Sequence, residues 1–437
     1  MNLFENTLRL NGFPIAKAKR KLSEIQKISE ENFGKYIFET RYEIVAYHIQ
    51  NNPFYKNIIG NSDVPIWENI PVMTKSNLQC PLEERLSKHF KMSSVYINKT
   101  SGSSGTPFIF AKDKFCHALT WAEIIDRFGT LGIDFNSSLQ ARFYGIPLDF
   151  KCYYKERIKD FFSHRYRFPV FDLSEKKIEE ILSSFKRKKF DYINGYTSSI
   201  VFFAKFLKDK NIVLNQICPS LKYCIVTSEM LFEDDKKLMG EVFGVPVINE
   251  YGASELDLIA FTNNQNEFVV NSETLFVEIL DENDLTVPLG SSGRIVITSL
   301  YNKAHPTIRY DIGDIGILST TSTYKKPILE KLIGRTNDMA KLPSGKTVPG
   351  LTFYYVTKSV ISKDGNVKEF VIEQTELDTF KIKYVSRKEL SEREKQQIEK
   401  SLFEYLEKDL TIIFDRTAVL KRNKSGKLSQ FVSLLNT

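Results

Sequence analysis

Strand-like and helix-like segments alternate regularly in the middle of the chain. β-Prone runs at residues 192–194, 222–227 and 245–249 are separated by helical runs at 198–208 and 233–243. Strands joined through helices form βαβ units, in which the crossovers are right-handed and the strands are parallel. The stretch therefore constrains the chain to an α/β fold, and ligands of open α/β sheets bind outside the carboxyl ends of the strands.

Polar residues follow two of these predicted strands. Thr227, Ser228 and Glu229 end one strand, and the segment from Asn249 to Glu255 follows the next. Because the carboxyl ends of parallel strands lie at one edge of a sheet, both segments should face the same crevice.

The remainder of the chain predicts additional layers. Residues 1–60 have helical periodicity, and runs at 275–280 and 294–298 are typical of antiparallel strands. The last hundred or so residues of the 437-residue chain follow a strand-strand-helix-strand pattern, in which Ser391 and Glu394 form a capping box. We therefore expect a large amino-terminal domain with a parallel sheet and antiparallel strands, and a small mobile α+β carboxyl-terminal domain.

Two further helices are expected nearer the amino terminus. The segment 70–78 reads as a strand or turn that feeds a helix capped by Thr74. Residues 113–128 have helical periodicity, with apolar side chains on one side. Structural core is the expected role of the second helix.

A glycine- and hydroxyl-rich segment at residues 100–107 lies between short β-prone runs at 95–97 and 108–110. Gly102 and Gly105 permit left-handed backbone and close approach to a ligand, and successive N–H groups can form a nest for an anion such as a polyphosphate. No Gly-Lys-Ser/Thr follows, so the loop is not a Walker A loop. Taken alone, a cluster of this kind is more often a plain solvated turn.

Composition excludes several classes of protein. The net charge of +7 is spread along the chain, and the basic run 186–189 ends a predicted helix, where it complements the helix dipole better than it predicts nucleic-acid binding. The five cysteines show no CxxC spacing, which argues against a zinc site or a disulfide framework. With no apolar leader and no run of about 18 apolar residues, we expect a cytoplasmic protein without a membrane span.

Five segments together resemble the core motifs of adenylate-forming enzymes. They are TSGSSGTP (100–107), NEYGASE (249–255), IRYDIGD (308–314), IGRTND (333–338) and SGKL (425–428). Within that superfamily the chain most resembles the phenylacetate-CoA ligase and CapK group, and IPVMTKSNL (70–78) is similar to an amino-terminal signature of the group. The resemblance covers nearly the whole chain.

The resemblance implies two half-reactions. A carboxylate attacks the α-phosphorus of ATP to give an acyl adenylate and pyrophosphate, and coenzyme A then takes the acyl group. An amine acceptor in surface (capsular) polysaccharide biosynthesis is the alternative, and a degenerate nucleotide-binding module is a second one. Partners would be a small carboxylic acid and an acceptor thiol or amine, with no nucleic acid, for a monomer or homodimer.

The resemblance also assigns the phosphates, a metal ion and the reacting carboxylate. Glu255 would bind Mg²⁺, since a hard cation takes carboxylate and phosphate oxygens, although it also fits a surface acid after a turn. Lys427 would bridge the attacking carboxylate and the α-phosphate. The β- and γ-phosphates would lie on Thr100, Ser101, Gly102, Ser103, Ser104, Gly105 and Thr106, the last also counted as catalytic.

For the nucleoside, the resemblance implies that adenine stacks on Tyr251, which alternatively is a core tyrosine. Asp314 would bind the ribose hydroxyls, with Asp311 as the local competitor, and Arg335 would contact ribose or phosphate. The rest of the nucleotide site would comprise Ser228, Glu229, Asn249, Glu250, Gly252, Ala253 and Ser254.

The hinge between domains would be Asn337, which divides the chain into residues 1–336 and 337–437. Thr106-Pro107, where many relatives carry Gly-Lys, and Lys421, where proline is frequent, depart from the family pattern. The acid pocket is expected near the strand ends, among Phe143, Tyr144, Gly145, Tyr196 and Tyr223. The aromatic members of this set fit an aryl or apolar acid or, alternatively, plain core packing.

Overall fold

The fold is that of a computed structural model, which describes residues 3–60, 64–100, 108–145, 150–170, 173–335, 339–350, 353, 357, 366–422 and 428–435. The α-helices are α1 (Leu3–Leu10), α2 (Ile15–Gln26), α3 (Glu30–Asn51), α4 (Pro53–Ile59), α5 (Leu82–Arg85), α6 (Lys114–Thr130), α7 (Phe150–Phe162), α8 (Glu175–Arg187), α9 (Thr197–Asp209), α10 (Leu214–Ile217), α11 (Glu233–Phe243) and α12 (Glu392–Tyr405).

The β-strands in the same order are β1 (Tyr96–Lys99), β2 (Ile109–Lys112), β3 (Gln140–Phe143), β4 (Arg165–Phe168), β5 (Tyr192–Tyr196), β6 (Tyr223–Thr227), β7 (Val247–Ala253), β8 (Asp257–Thr262), β9 (Phe268–Val270), β10 (Leu275–Leu280), β11 (Ser292–Ser299), β12 (Tyr310–Leu318), β13 (Leu329–Arg335), β14 (Met339–Lys341), β15 (Thr347–Pro349), β16 (Val367–Gln374), β17 (Thr379–Ser386), β18 (Thr411–Arg416) and β19 (Phe431–Ser433).

A seven-stranded sheet forms the centre of the large domain. Its strand order is β4-β3-β5-β6-β7-β8-β9; the strands from β4 to β7 are parallel, and β8 and β9 are added antiparallel. The predicted βαβ units and their parallel sheet are therefore confirmed. Crossover helices cover one face of this sheet, and the long helix α6 covers the other. A ligand crevice is therefore expected at the carboxyl edge of the sheet.

The sheet has a purely apolar face and a mixed face. Alternate residues such as Ala141, Ile193 and Val226 pack with α8, α9 and α11 on the apolar face. On the other face Tyr192 and Ile225 pack against α6. Because side chains alternate along a strand, neighbouring residues of one strand serve different faces.

Strand β7 is longer than the sequence predicts. It continues through Ala253 and turns tightly into β8, so most of the NEYGASE motif lies within the strand instead of after it. The ladder between these strands is irregular between Tyr251 and Gly252. A Cβ at Gly252 would lie 2.2 Å from the carbonyl oxygen of Asp257, so only glycine allows this close approach of the two strands.

The predicted helix after Thr74 is wrong. Residues 74–77 form a turn, in which the Asn77 side chain accepts hydrogen bonds from the Thr74 N–H (2.8 Å) and hydroxyl (2.7 Å). A side chain that satisfies the backbone locally competes with helix formation. The residue before the turn, Met73, forms an isolated parallel bridge with Tyr310.

A second core joins the amino-terminal helices to the four-stranded sheet β10-β11-β12-β13. The predicted antiparallel pairing of 275–280 with 294–298 is confirmed. Buried members of this core include Trp67, Phe108, Leu256 and Tyr310. The core therefore connects the hairpin β1-β2 to strand β12 and to the end of the NEYGASE motif.

The carboxyl-terminal part contains a separate sheet of order β18-β17-β16-β19, which packs on α12 through residues such as Phe380 and Ile398. The predicted capping box is confirmed, because the Ser391 hydroxyl and the Glu394 carboxylate each satisfy the other's backbone N–H. This part is the smaller α+β domain of the fold. Among the described helices, none combines the length and the apolar character needed to cross a membrane.

Candidate nucleotide site

The hydroxyl-rich loop is closed at its base by two hydrogen bonds. Thr100 N donates to Phe108 O at 2.9 Å, and Phe108 N donates to the Thr100 hydroxyl at 3.0 Å. Strands β1 and β2 pair antiparallel in register on either side, so the predicted hairpin is confirmed. Residues 101–107, which include the predicted phosphate contacts Ser101 to Thr106, lie outside the described residues.

The base of the hairpin is connected to Glu255 through aromatic rings. The Phe108 ring stacks on the Tyr310 ring at a centroid distance of 6.2 Å, and the Tyr310 hydroxyl donates to Glu255 Oε1 at 2.9 Å. A buried ion pair between Lys112, on β2, and Asp257 makes a second connection. The base of the hairpin and the end of the NEYGASE motif are thus held in one place.

Asp314 lies against the same motif. The Tyr251 hydroxyl donates to Asp314 Oδ2 at 2.6 Å. Asp311, the competing aspartate, instead forms an ion pair with Arg294 at 2.8 Å and accepts from Gly313 N. The structure therefore places Asp314 beside the predicted adenine-stacking Tyr251 and places Asp311 in an ion pair, while the ribose-binding role of Asp314 stays a prediction.

Strand β13 runs beside Asp314, and its last residue, Arg335, is the register partner of that aspartate. The register places the backbone of the predicted ribose-contacting arginine at the same edge. The predicted hinge residue Asn337 follows in the sequence and lies outside the described residues.

Glu229 contacts the carboxyl-terminal part of the chain. Its Oε2 accepts from Ser198 N at 2.6 Å, at the first turn of α9, and its Oε1 accepts from Leu428 N at 2.9 Å. The residue before Leu428 is Lys427, which itself lies outside the described residues. Glu229 was predicted to contact the nucleotide. In the structure, each oxygen of its carboxylate instead accepts a hydrogen bond from a backbone N–H group.

A second link between the domains lies beside Glu229. Arg422 donates to the Ser198 hydroxyl at 3.1 Å and forms an ion pair with Glu369 at 2.8 Å. Lys205 donates to the Lys368 carbonyl at 2.7 Å. The smaller domain therefore contacts helix α9 of the large domain, from Ser198 in its first turn to Asp209 at its end, where Arg387 forms an ion pair.

The other predicted nucleotide residues lie on or beside β7. Ser228 is exposed and has a left-handed φ of 71°, which a non-glycine residue adopts only where the surroundings impose it. Asn249 N donates to the Thr262 hydroxyl at 3.1 Å. Glu250 is half-buried, and burial raises the pKa of its carboxyl. Ala253 is half-buried and Ser254 is exposed.

Phe143 does not belong to the predicted acid pocket. Its fully buried ring packs against Phe168 and Phe203, at centroid distances of 5.2 and 5.7 Å, because strand alternation directs it to the apolar face with Ala141. The rings of Tyr144 and Tyr196 do meet, at 4.5 Å between centroids. The Gly145 carbonyl accepts from Arg167 at 2.8 Å.

Polar residues that the sequence did not reveal line the mixed face near Tyr144. Gln140 and Arg142 lie on β3, and the register pairs them with Arg165 and Arg167 of β4, with Asn194 of β5 opposite Arg142. Paired residues of neighbouring strands share a face. Strand β4, with the sequence RYRF, was not predicted, because two arginines in four residues do not read as a buried strand; the polar alternation at 140 and 142 was the available signal.

Glu255 is compatible with a nucleotide-bound magnesium ion. Its buried carboxylate has one oxygen on the Tyr310 hydroxyl, and the described residues contain no group of three or more potential metal ligands. Magnesium often takes one or two protein carboxylates and completes its shell with phosphate oxygens and water. A single buried carboxylate fits that pattern.

Solved structures of acyl-CoA ligases are similar to this chain along its length, whereas no protein-family model and no curated protein matches it by sequence. 2-Hydroxyisobutyryl-CoA ligase in the postadenylation state, in complex with R3-HIB-AMP, has a TM-score of 0.69 at 16% identity, and 91% of this chain covers 89% of that chain. In the thioesterification state, with 2-HIB-AMP and CoA, the TM-score is 0.58 at 15% identity, with coverage of 93% and 91%.

ATP-bound MatB from Rhodopseudomonas palustris is similar over a shorter span, with a TM-score of 0.53 at 16% identity and coverage of 75% of this chain and 65% of that chain. Identities this low establish the fold and leave the activity open. The chain therefore has the acyl-CoA ligase fold, with a large amino-terminal and a smaller carboxyl-terminal domain.

Proposed function

We propose that the protein activates a carboxylic acid with ATP, as an acyl adenylate, and transfers the acyl group to coenzyme A. The observation that carries the proposal is the meeting of the loop base at Phe108 with Glu255 through Tyr310, beside the Tyr251–Asp314 hydrogen bond. Leu428, the residue after Lys427, contacts Glu229 beyond the end of the neighbouring strand β6. The fold likeness to enzymes with acyl-AMP bound agrees with it. We place the domain boundary near Asn337, as the motifs imply.

In the first half-reaction, a carboxylate oxygen of the acid bonds to the α-phosphorus and the bond to pyrophosphate breaks. Two anions must approach each other, so positioning and charge neutralisation dominate the barrier. The loop 100–106 holds the β- and γ-phosphates with backbone N–H groups and hydroxyls. Asp314 accepts from the ribose hydroxyls, and Tyr251 orients that carboxylate while presenting its ring to adenine.

Two cationic groups offset the charge at the reacting centre. Lys427 places its ammonium between the acid and the α-phosphate, and Arg335 contacts ribose or phosphate. A magnesium ion held by Glu255 would supply further positive charge at the phosphate oxygens. Glu229 holds the backbone beside Lys427 and so fixes where the lysine enters the site.

In the second half-reaction the acceptor attacks the acyl carbon and AMP leaves. Coenzyme A is the proposed acceptor, because the neighbours that share the fold include a structure with CoA bound. Mass spectrometry of the products formed with CoA, or with amino sugars, decides between a thioester and the amide of the alternative function. The identity of the product also decides whether the protein serves surface-polysaccharide biosynthesis, the pathway that the likeness to the phenylacetate-CoA ligase and CapK group implies for an amide product.

Acid-dependent exchange of labelled pyrophosphate into ATP tests the first half-reaction. We expect exchange with wild-type protein over a panel of acids, and loss of exchange in Lys427→Ala. Lys421→Ala is the matched control, because Lys421 is an exposed lysine of the same segment. A wild-type protein that exchanges with no acid of a broad panel would instead favour a nucleotide-binding module without ligase activity.

A further inference from the structure

Two arginines on the mixed face of the central sheet lack carboxylate partners. Within the described part of the chain, no carboxylate oxygen lies within 4.0 Å of a side-chain nitrogen of Arg142 or Arg165, whereas Arg167 beside them pairs with Asp160 at 2.8 Å and with Glu156 at 3.0 Å. The acids of this region thus belong to Arg167. The other two guanidinium groups form no ion pair with a described carboxylate.

The contacts of Arg142 leave hydrogen-bonding capacity unused. Its guanidinium lies over the Tyr144 ring, 3.9 Å from the centroid, and Nη1 reaches Gln140 Oε1 only at 3.5 Å. Its Nε is buried and has no hydrogen-bond partner among the described residues. A buried donor without a partner is costly to a fold, and such a donor in a native protein calls for an explanation.

Burial and mutual repulsion both act on this pair of arginines. Arg142 and Arg165 are half-buried, and burial, followed by the repulsion of Arg142, lowers the pKa of Arg165 to about 10. On the same side of the sheet, burial raises the pKa of the Glu250 carboxyl, whereas the Thr227 side chain and Arg142 lower it. Within the described residues, Glu250 forms no ion pair with either arginine.

The position of Arg142 relates it to the reacting end of the site. It precedes Tyr144 by two residues on the same side of β3, and Tyr144 contacts Tyr196 at the carboxyl edge of the sheet. Two strand residues span about 7 Å. A group bound at Arg142 would therefore lie below the edge where the carboxylate reacts, at the far end of a short acid.

We propose that the acid activated by this protein carries a second anionic group, held by Arg142 and Arg165. The inference rests on the proposed ligase function and names its substrate class. A planar guanidinium pairs well with a carboxylate or a phosphate, and the aromatic rings of Tyr144 and Tyr196 form a wall beside the spacer. A simple aryl or apolar acid, which the aromatic residues alone favoured, would leave both charges unpaired.

Pyrophosphate exchange with matched acid pairs tests the proposal. The pairs are succinate and butyrate, glutarate and valerate, adipate and hexanoate, and 3-phosphonopropionate as a phosphorus dianion. We expect at least one doubly anionic acid to exceed its monoanionic partner in kcat/KM. The Arg142→Gln variant should lower kcat/KM for that acid by about 10-fold to 100-fold and narrow the preference within the pair.

Thermal unfolding without ligand supplies a readout that a structural arginine would not give. Removing a half-buried guanidinium that forms no ion pair should leave Tm unchanged or raise it in Arg142→Gln and Arg165→Gln. Arg167→Gln is the matched control on the same face, and it should lower Tm because it strands Asp160. A fall in Tm for Arg142→Gln like that for Arg167→Gln would overturn the proposal.

Two other results would also overturn it: a wild-type preference for the monoanionic acids, or an effect of Arg142→Gln on the KM for coenzyme A alone. If no acid supports exchange, the ligase function itself fails. Calorimetric titration of the same dianions into wild type and Arg142→Gln then decides the binding claim separately. Dianion binding that Arg142→Gln abolishes supports the site, and its absence in wild type refutes it.

Discussion

The Glu229 carboxylate accepts a hydrogen bond from Leu428 N at 2.9 Å and so connects the large domain to the residue that follows Lys427. The same carboxylate accepts from Ser198 N at the amino end of α9, where the helix dipole favours a negative charge. One side chain thereby links the backbone at Leu428 to the large domain.

Glu229→Ala should slow adenylation and spare acyl transfer. The lost hydrogen bonds involve an ionised acceptor, so we expect pyrophosphate exchange to fall about 10-fold. Conversion of a preformed acyl adenylate and coenzyme A to thioester should keep its rate, because we propose that the small domain rotates before that step, as the family resemblance implies. Glu233→Ala, which removes an exposed acid from the first turn of α11, is the control and should change neither rate. Equal losses in both half-reactions would contradict the assigned role.

Tyr251→Phe should weaken ATP binding without abolishing catalysis. The substitution keeps the ring and removes the hydroxyl that donates to Asp314 at 2.6 Å. Loss of one such hydrogen bond should raise the KM for ATP about 3-fold to 10-fold with little change in kcat. Tyr324→Phe alters an exposed tyrosine and is the control. An unchanged KM in Tyr251→Phe would place the nucleotide away from this pair.

His48 should make stability depend on pH. The ring is buried, its Nε2 lies 2.8 Å from Asn302 O, and burial lowers its pKa from 6.5 to about 4. Between pH 6.5 and 4 the His48 ring therefore binds a proton in the unfolded chain but not in the folded chain. The contribution of the neutral ring to the free energy of unfolding is complete above pH 6.5 and is lost as the pH falls toward 4. The loss from His48 amounts to about 3 kcal/mol at pH 4.

Urea unfolding between pH 7.5 and 5 measures this effect. The free energy of unfolding of His48→Gln should fall less steeply with decreasing pH than that of wild type. His89→Gln, at an exposed position, should keep the wild-type slope. Parallel curves for His48→Gln and wild type would show that the buried ring does not titrate as described.

Sequence patterns predicted the parts of the fold that local physics determines. The βαβ units follow from helix and strand periods within short windows, and the Ser391 capping box follows from two residues three apart. The turn at Thr74 was mistaken for a helix start because Asn77, and not the helix, satisfies its N–H. Strand β4 was missed because two of its four residues are arginines. The carboxylate that pairs with Arg167 belongs to Asp160 on α7, and no pattern within the strand signals that contact.

The candidate site, like the fold, has parts that sequence patterns predict and parts that they do not. Motif order predicted that Tyr251, Glu255 and Asp314 belong together, and the contacts through Tyr310 and Phe108 agree. The link from Glu229 to Leu428 joins residues 199 positions apart, and no local pattern signals such a contact. Phe143 was assigned to the pocket because its strand register, which decides the face, was unknown from the sequence.

Transfer of labelled oxygen from the acid to AMP tests the central claim most directly. Acid labelled with ¹⁸O in its carboxylate is incubated with ATP, coenzyme A and wild-type protein, and the AMP is examined by mass spectrometry. Because the carboxylate oxygen bonds to the α-phosphorus and the acyl carbon later leaves it, AMP should gain one ¹⁸O per turnover. Unlabelled AMP, or ADP in place of AMP, would contradict the formation of an acyl adenylate.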